Sequence, residues 1–202
     1  ATHNVSVDLD SGFLYRCGGS SNGLRIYDLA DPSNPVYVTS WNDRYVHDAQ
    51  IVTYTTGPHA GKQIAYCCAG FNGGWTEPTL SIVDVTNKQN LLVLAHIAYP
   101  GRAYSHQGWL SEDRTLFYLG DELDENGSIM TTTHVFDVAN PTNATYVGLF
   151  TNSQVSIGHN MFTAHGLLFQ ANYTSGLRIY DAASNPLTPT EVAYFDSAPP
   201  ST

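Results

Sequence analysis

The hexapeptide GLRIYD stands at 23–28 and returns unchanged at 176–181. An identity of that length at that separation points to an internal repeat, and a repeat restricts the fold more than any single motif does. Two looser copies lie between, LSIVDVTNKQNLLVLAHIAY (80–99) and HVFDVANPTNATYVGLF (134–150). In every copy an apolar run ends in Asp, a short polar stretch with Asn or Pro follows, and a second β-branched or aromatic run comes next. The anchoring residues Asp28, Asp84, Asp137 and Asp181 are 56, 53 and 44 positions apart, so the two identical hexapeptides belong to the first and fourth of four units.

Each unit reads as strands joined by turns. In the first, HNVSVDLD (3–10), FLYRC (13–17), LRIYD (24–28) and VYVTSW (36–41) are separated by Gly-, Ser-, Asn- and Pro-rich punctuation, and no helix-period stretch of useful length occurs. Pro32 and Pro35 fall in a turn, where a missing N–H is harmless. Aligning the second strands gives one column of Tyr15, Tyr66, Phe117 and Phe169 and another of Cys17, Cys68, Leu119 and Ala171, expected to line one packed sheet face. Four-stranded units recurring every ~40–50 residues predict an all-β fold, a β-propeller with four antiparallel blades at about 1–43, 44–101, 102–153 and 154–202. The blades form either a four-blade ring or part of a six- to eight-bladed one. A β-sandwich is the alternative, but it needs no repeating unit. The repeated aspartates are expected to cap strand exits by accepting backbone N–H groups two residues on.

Charged residues make up 13% of the chain and the net charge is −10, which argues against nucleic acid or an anionic membrane as partner. No apolar run is long enough to cross a membrane as a helix. Cys17, Cys67 and Cys68 give an odd count with no CxxC, so buried free thiols are expected; a Cys17–Cys68 bridge is the alternative. Asn-x-Ser/Thr sequons occur at Asn4, Asn126, Asn143 and Asn172. Asn126, Asn143 and Asn172 are the glycosylation candidates of a secreted chain, while Asn4 sits beside a candidate site.

Four of the eight histidines also obey the repeat. His3, His47, His106 and His159 open the four units, each followed by an amide or carboxylate: Asn4, Asp48, Gln107 and Asn160. The first strand of a blade is its innermost, so these side chains are expected at a channel mouth. There His3, His47, Asp48, His106, Gln107, His159 and Asn160 are candidates for holding a polar ligand or, through imidazole, a transition metal. The competing reading is architectural: a repeated histidine can simply bond the backbone of the next blade. A second cluster, GDELDENGS (120–128), reads first as a solvated acidic turn; it also offers Asp121, Glu122, Asp124 and Glu125 as calcium candidates, although the spacing is not that of an EF-hand. No catalytic residue follows from any motif.

NGLRIYDLADPSNPVYV resembles the LVIVD repeat. The stretches HNVSVD, YVHDAQIVTYTTGPHAGKQIAYC, YSHQGWLSEDRTLFYLGDELDE, THVFDVANP and QANYTSGLRIYD together are similar to the choice-of-anchor B family. The resemblance implies propeller blades on a secreted or surface-displayed protein with a variable anchor, and it carries no activity or catalytic residue. It also implies that this sequence is a central part of a longer propeller. The expected function is therefore a non-catalytic, extracellular or cell-surface module for binding, adhesion or assembly, with a protein or glycan partner or a second copy of itself. The alternative is a metal-dependent enzyme built on the histidines.

Overall fold

The computed structural model describes residues 2–19, 23–125 and 129–197. The chain divides into two compact units, Ala1–His96 and Ile97–Thr202. In the first, β1 (Asn4–Asp8), β2 (Phe13–Cys17), β3 (Leu24–Asp28) and β4 (Val36–Trp41) pair in order as one antiparallel sheet. A second sheet holds β5 (Asp48–Thr53), β6 (Gln63–Ala69), β7 (Thr79–Asp84) and β8 (Leu92–Ile97). In the second unit the sheets are β9 (Ser105–Leu110), β10 (Leu116–Asp121), β11 (Thr132–Asp137) and β12 (Thr145–Thr151), then β13 (Met161–Ala164), β14 (Leu167–Asn172), β15 (Gly176–Asp181) and β16 (Thr190–Phe195). These four-stranded antiparallel sheets are the blades of a β-propeller. Helix among the described residues is confined to three short 3₁₀ turns.

The anchoring aspartates act as expected. Asp28, Asp84 and Asp137 accept the N–H two residues on, from Ala30, Thr86 and Ala139, at 2.7, 2.9 and 3.0 Å. Asp181 reaches one residue further, to Ser184. Strand pairing fixes which residues are equivalent, because these aspartates face Phe13, Ile64, Leu116 and Leu167 on the neighbouring strand. The aromatic column is therefore Tyr15, Tyr66, Tyr118 and Phe169. Phe117 does not belong to it, and Gly120 replaces Leu119 in the column two positions on. A slip of one residue moves a side chain to the opposite face of the sheet, and an aromatic pair at 117–118 hides the slip in the sequence.

The corrected columns explain how neighbouring blades pack. In the first unit Tyr15, Cys17, Leu24, Ile26 and Trp41 meet Val46, Ala49, Ile51, Ala65 and Cys67 of the second blade. In the second unit Leu116, Tyr118, Val135 and Phe150 meet Met161, Leu168 and Tyr180. Each fully buried large apolar side chain contributes about 1.5–3 kcal/mol. The buried Tyr118 hydroxyl is satisfied by the Pro186 carbonyl at 2.8 Å. Polar clamps reinforce both seams. Asp8 accepts from Thr53 at 2.6 Å and Gln63 at 2.5 Å. Burial alone would raise the Asp8 carboxyl, but the bonds from Ser11, Thr53 and Gln63 carry it below its usual range. The three cysteines are free and buried, as expected, and burial raises the Cys17 and Cys67 thiols.

The two copies of GLRIYD bury opposite faces. In β3, Leu24 and Ile26 are 0% exposed while Arg25 and Tyr27 are half-buried. In β15, Arg178 and Tyr180 are 6% and 1% exposed while Leu177 and Ile179 are half-buried. The reason is position. The first copy packs against the blade after it and the second against the blade before it, so one strand shows both ways of packing.

The leading glycine is required in both copies. Gly23 and Gly176 have φ of 91° and 74°, and a Cβ there would stand 1.6 Å from the Trp41 carbonyl oxygen and 2.3 Å from that of Phe195. A side chain meets both backbone strain and a backbone clash that no rotamer relieves. Gly176→Ala is expected to lower stability by about 2 kcal/mol, read as the urea midpoint; a loss below about 0.5 kcal/mol would contradict this account.

Candidate functional site

Each unit brings its own two repeat histidines together. In the first, the His3 and His47 rings lie 4.2 Å apart at 50°. His3 hangs from the Cys17 carbonyl (3.0 Å) and His47 from that of Cys68 (2.9 Å), so both are placed by backbone bonds just before β1 and β5. Gly18, with φ 66°, leaves room for His3, since a Cβ there would lie 2.2 Å from the His3 Cβ. Asp48 is tied to the Asn4 amide and to the Ala49 N–H, and burial raises its carboxyl. Asn4 and Asp48 thus stitch blade to blade.

In the second unit the His106 and His159 rings lie 4.3 Å apart at 43°. His106 projects from β9 and is 3% exposed; His159 precedes β13, held by its N–H to the Ala171 carbonyl at 2.8 Å. Gly120 admits this segment, since a Cβ there would lie 3.2 Å from the His159 carbonyl oxygen. Gln107 does not face a ligand. Its amide donates to the Met161 carbonyl (3.0 Å) and accepts the Met161 N–H (2.8 Å), which closes the seam between β9 and β13. Asn160 is half-buried, and its carbonyl accepts the Ala171 N–H at 2.9 Å.

The acidic loop after β10 is organised differently from a calcium loop. Both oxygens of the fully buried Asp121 are taken up by two donors each. Oδ2 accepts from the Tyr99 hydroxyl (2.7 Å) and Ala103 N–H (2.7 Å), and Oδ1 from the Tyr104 (2.6 Å) and Leu123 (3.1 Å) N–H groups. Asp124 Oδ2 pairs with His134 Nε2 at 3.0 Å. Glu125 Oε1 accepts from Thr132 N–H at 2.9 Å and Gly158 N–H at 3.3 Å. Three of the four calcium candidates therefore fasten the loop to its surroundings, Asp121 through both carboxylate oxygens and Asp124 and Glu125 through one each. Burial pushes the Glu125 carboxyl up to about 8, and the adjacent Asp124 charge pushes the same way.

Glu122 is the exception. Its N–H bonds the Tyr104 carbonyl at 3.1 Å, which sets it beside the start of β9. Its carboxylate faces both histidines, Oε2 lying 3.5 Å from His106 Nε2 and Oε1 3.7 Å from His159 Nε2. The Tyr173 hydroxyl donates to Oε1 at 2.5 Å, and this bond, ahead of burial, raises the phenol. One ligand atom from each of His106, Glu122 and His159 lies within 4.8 Å of the others. Sequence reasoning had placed Glu122 in a different cluster and missed Tyr173, which in the sequence is only the residue after a sequon asparagine.

Of the glycosylation candidates, Asn143 is exposed at the end of a 3₁₀ turn, Pro141–Asn143. Asn172 is corrected: at 1% exposure in β14 it is closed to a glycosyltransferase in the folded chain. Asn126 lies outside the described residues.

No known family model matches the sequence, and no curated protein does. Solved structures do match the fold. A protein from Lactobacillus plantarum superposes with TM-score 0.68 and 12% identity over 97% of this chain and 57% of its own. A functionally unknown protein from Desulfotomaculum acetoxidans gives 0.67 and 11% over 97% and 56%. The periplasmic gluconolactonase PpgL of Pseudomonas aeruginosa gives 0.66 and 11% over 95% and 56%. At such identities the likeness is one of fold, and the chain spans little more than half the length of these structures.

Proposed function

We propose that the chain is a non-catalytic assembly module of an extracellular or cell-surface protein, as its resemblance to choice-of-anchor B proteins implies, and that its first and fourth blades each present a face for a further blade, which a second copy docking head to tail supplies when this chain stands alone. The observation that carries this reading is the opposite burial of the two GLRIYD strands. On the fourth blade, pairing aligns Phe162, Phe169, Ile179 and Ala193 in one row and Ala171, Leu177 and Phe195 in the next. Phe162 and Phe195 are 47% and 67% exposed. The matching face of the first blade, built on the same Leu and Ile, is sealed by the second blade.

The complementary surface lies on the first blade, where Val7, Leu14, Tyr27 and Tyr37 form a row with Val7 44% and Tyr37 54% exposed. In β15 the matching Arg and Tyr face is covered by the third blade. Docking the fourth blade of one copy on the first blade of another reproduces the packing that each face already has inside one unit. Such a heterologous contact does not close on itself unless the rotation allows it. Exposed Asn143, in its sequon, supports a secreted chain.

Sedimentation of the purified chain over a range of concentrations tests the reading. Concentration-dependent assembly is expected, abolished by Ile179→Glu on one face or Val7→Glu on the other. Mixing the two variants should restore a single productive contact and give dimers that grow no further. A monomer at all concentrations, or assembly indifferent to both substitutions, would sink it. The second reading, a metal-dependent enzyme, draws on the His106, Glu122 and His159 grouping.

A further inference from the structure

We propose that His106, Glu122 and His159 form a site for a divalent transition metal of the zinc type, a reading independent of the assembly surface. The first argument is distance. The contacts of Glu122 with the two histidines, at 3.5 and 3.7 Å, are too long for hydrogen bonds of normal geometry. They fit donors arranged around an ion instead. Ligand bonds of about 2.1 Å in a tetrahedral shell place neighbouring donor atoms about 3.4 Å apart.

The second argument is the donor set. Two imidazoles and one carboxylate suit a borderline-soft divalent ion, and three protein ligands leave a further position open to water or another molecule. The competing explanation is a pair of stacked histidines that simply pack. It leaves unexplained why one carboxylate turns an oxygen toward each ring.

The third argument is how firmly the donors are held before any ion arrives. His106 is 3% exposed near the start of the edge strand β9, His159 is fixed through its N–H to Ala171, and Glu122 is fixed through its N–H to Tyr104. The Tyr173 hydroxyl orients Glu122 from behind, as outer partners do for metal-bound carboxylates. Tyr173 itself is held at φ 20° in a short turn, Tyr173–Ser175, an unfavourable backbone for an aromatic residue. Strain at a residue whose side chain reaches the donor set is what a built site shows. The tyrosine is therefore a positioning residue, and the other three are ligands.

Calorimetric titration of the chelator-treated chain with zinc chloride tests the site, with cobalt(II) absorbance as a second readout of the ligand field. One equivalent is expected to bind at the site, with a rise in melting temperature. Glu122→Gln and His159→Ala should weaken the binding at least 100-fold, and Tyr173→Phe about 10-fold. His159 is the safer histidine to replace, because it is half-exposed where His106 is buried. His59→Ala, at a histidine outside the repeat, should leave this equivalent unchanged. Absence of stoichiometric binding would overturn the proposal. So would binding that survives both Glu122→Gln and His159→Ala, or binding lost with His59→Ala alone.

Discussion

Replacing Asp121 by Ala is expected to destabilise the second unit by about 3–5 kcal/mol, the largest loss from any single side chain near the site. The carboxylate is completely buried and accepts four hydrogen bonds, from the Tyr99 hydroxyl and the N–H groups of Ala103, Tyr104 and Leu123. Truncation leaves all four donors without their acceptor, and each buried unsatisfied donor costs about 1–3 kcal/mol before any water enters. Asp121→Asn should recover part of the loss, since one oxygen remains, but its NH₂ group must then face donors. Urea unfolding of the three proteins gives the order wild type, Asn, Ala. An Ala variant within 1 kcal/mol of wild type would mean that the loop is held by something else. Because the same bonds place Tyr104, and through it Glu122, the Ala variant should also lose zinc affinity at temperatures where it is still folded.

Glu125→Gln should have the opposite sign, and its effect should depend on pH. Glu125 is fully buried. Its Oε1 accepts two N–H groups, while Oε2 and the Asp124 Oδ1 beside it are buried with no other donor. A proton on Glu125 joins the two carboxyl groups. Facing them are Asp121 and His134, the latter paired to Asp124. The folded protein therefore keeps the Glu125 proton up to about pH 8, whereas the unfolded chain releases it near the ordinary 4.5.

Below pH 4.5 both states are protonated and the group does not bias folding. As pH rises from there the unfolded state alone ionises, so stability falls until about pH 8 and is level beyond it. Glutamine mimics the protonated acid at every pH: it keeps the carbonyl for Thr132 and Gly158 and offers an N–H to Asp124. The variant should lie close to wild type at pH 4.5 and exceed it by about 4–5 kcal/mol at pH 8.5. A difference that does not change with pH would remove the shared proton from this account.

The repeat made much of the fold legible. The period, the turn residues and the capping aspartates each agree with the blades. In the first unit the strands at 13–17, 24–28 and 36–41 match β2, β3 and β4. What failed was parity. Tyr118 and Phe117 are adjacent and both aromatic, and only cross-strand pairing tells which one shares a face with Tyr15. The site was legible in part. Repetition pointed to His106 and His159, because a residue that returns at one place in each blade returns at one place in space. Glu122 and Tyr173 do not recur. They reach the site through one loop and one strained turn, and a partner that appears once leaves no periodic trace. In the sequence Asp121 and Glu125 belong to a solvated acidic turn or a calcium loop, whereas their burial makes them fasteners of the backbone.

The two-sided use of GLRIYD bears on how such a chain could arise. A strand that is sound with either face covered can occupy the first position, the last or any between without a change of sequence. A gene segment encoding one blade could then be copied or lost at either end, and the hydrophobic pattern would still be correct for its new neighbours. The hexapeptides of the first and fourth blades stayed identical while the middle copies diverged. One strand sequence can thus serve a blade whichever of its faces a neighbour covers.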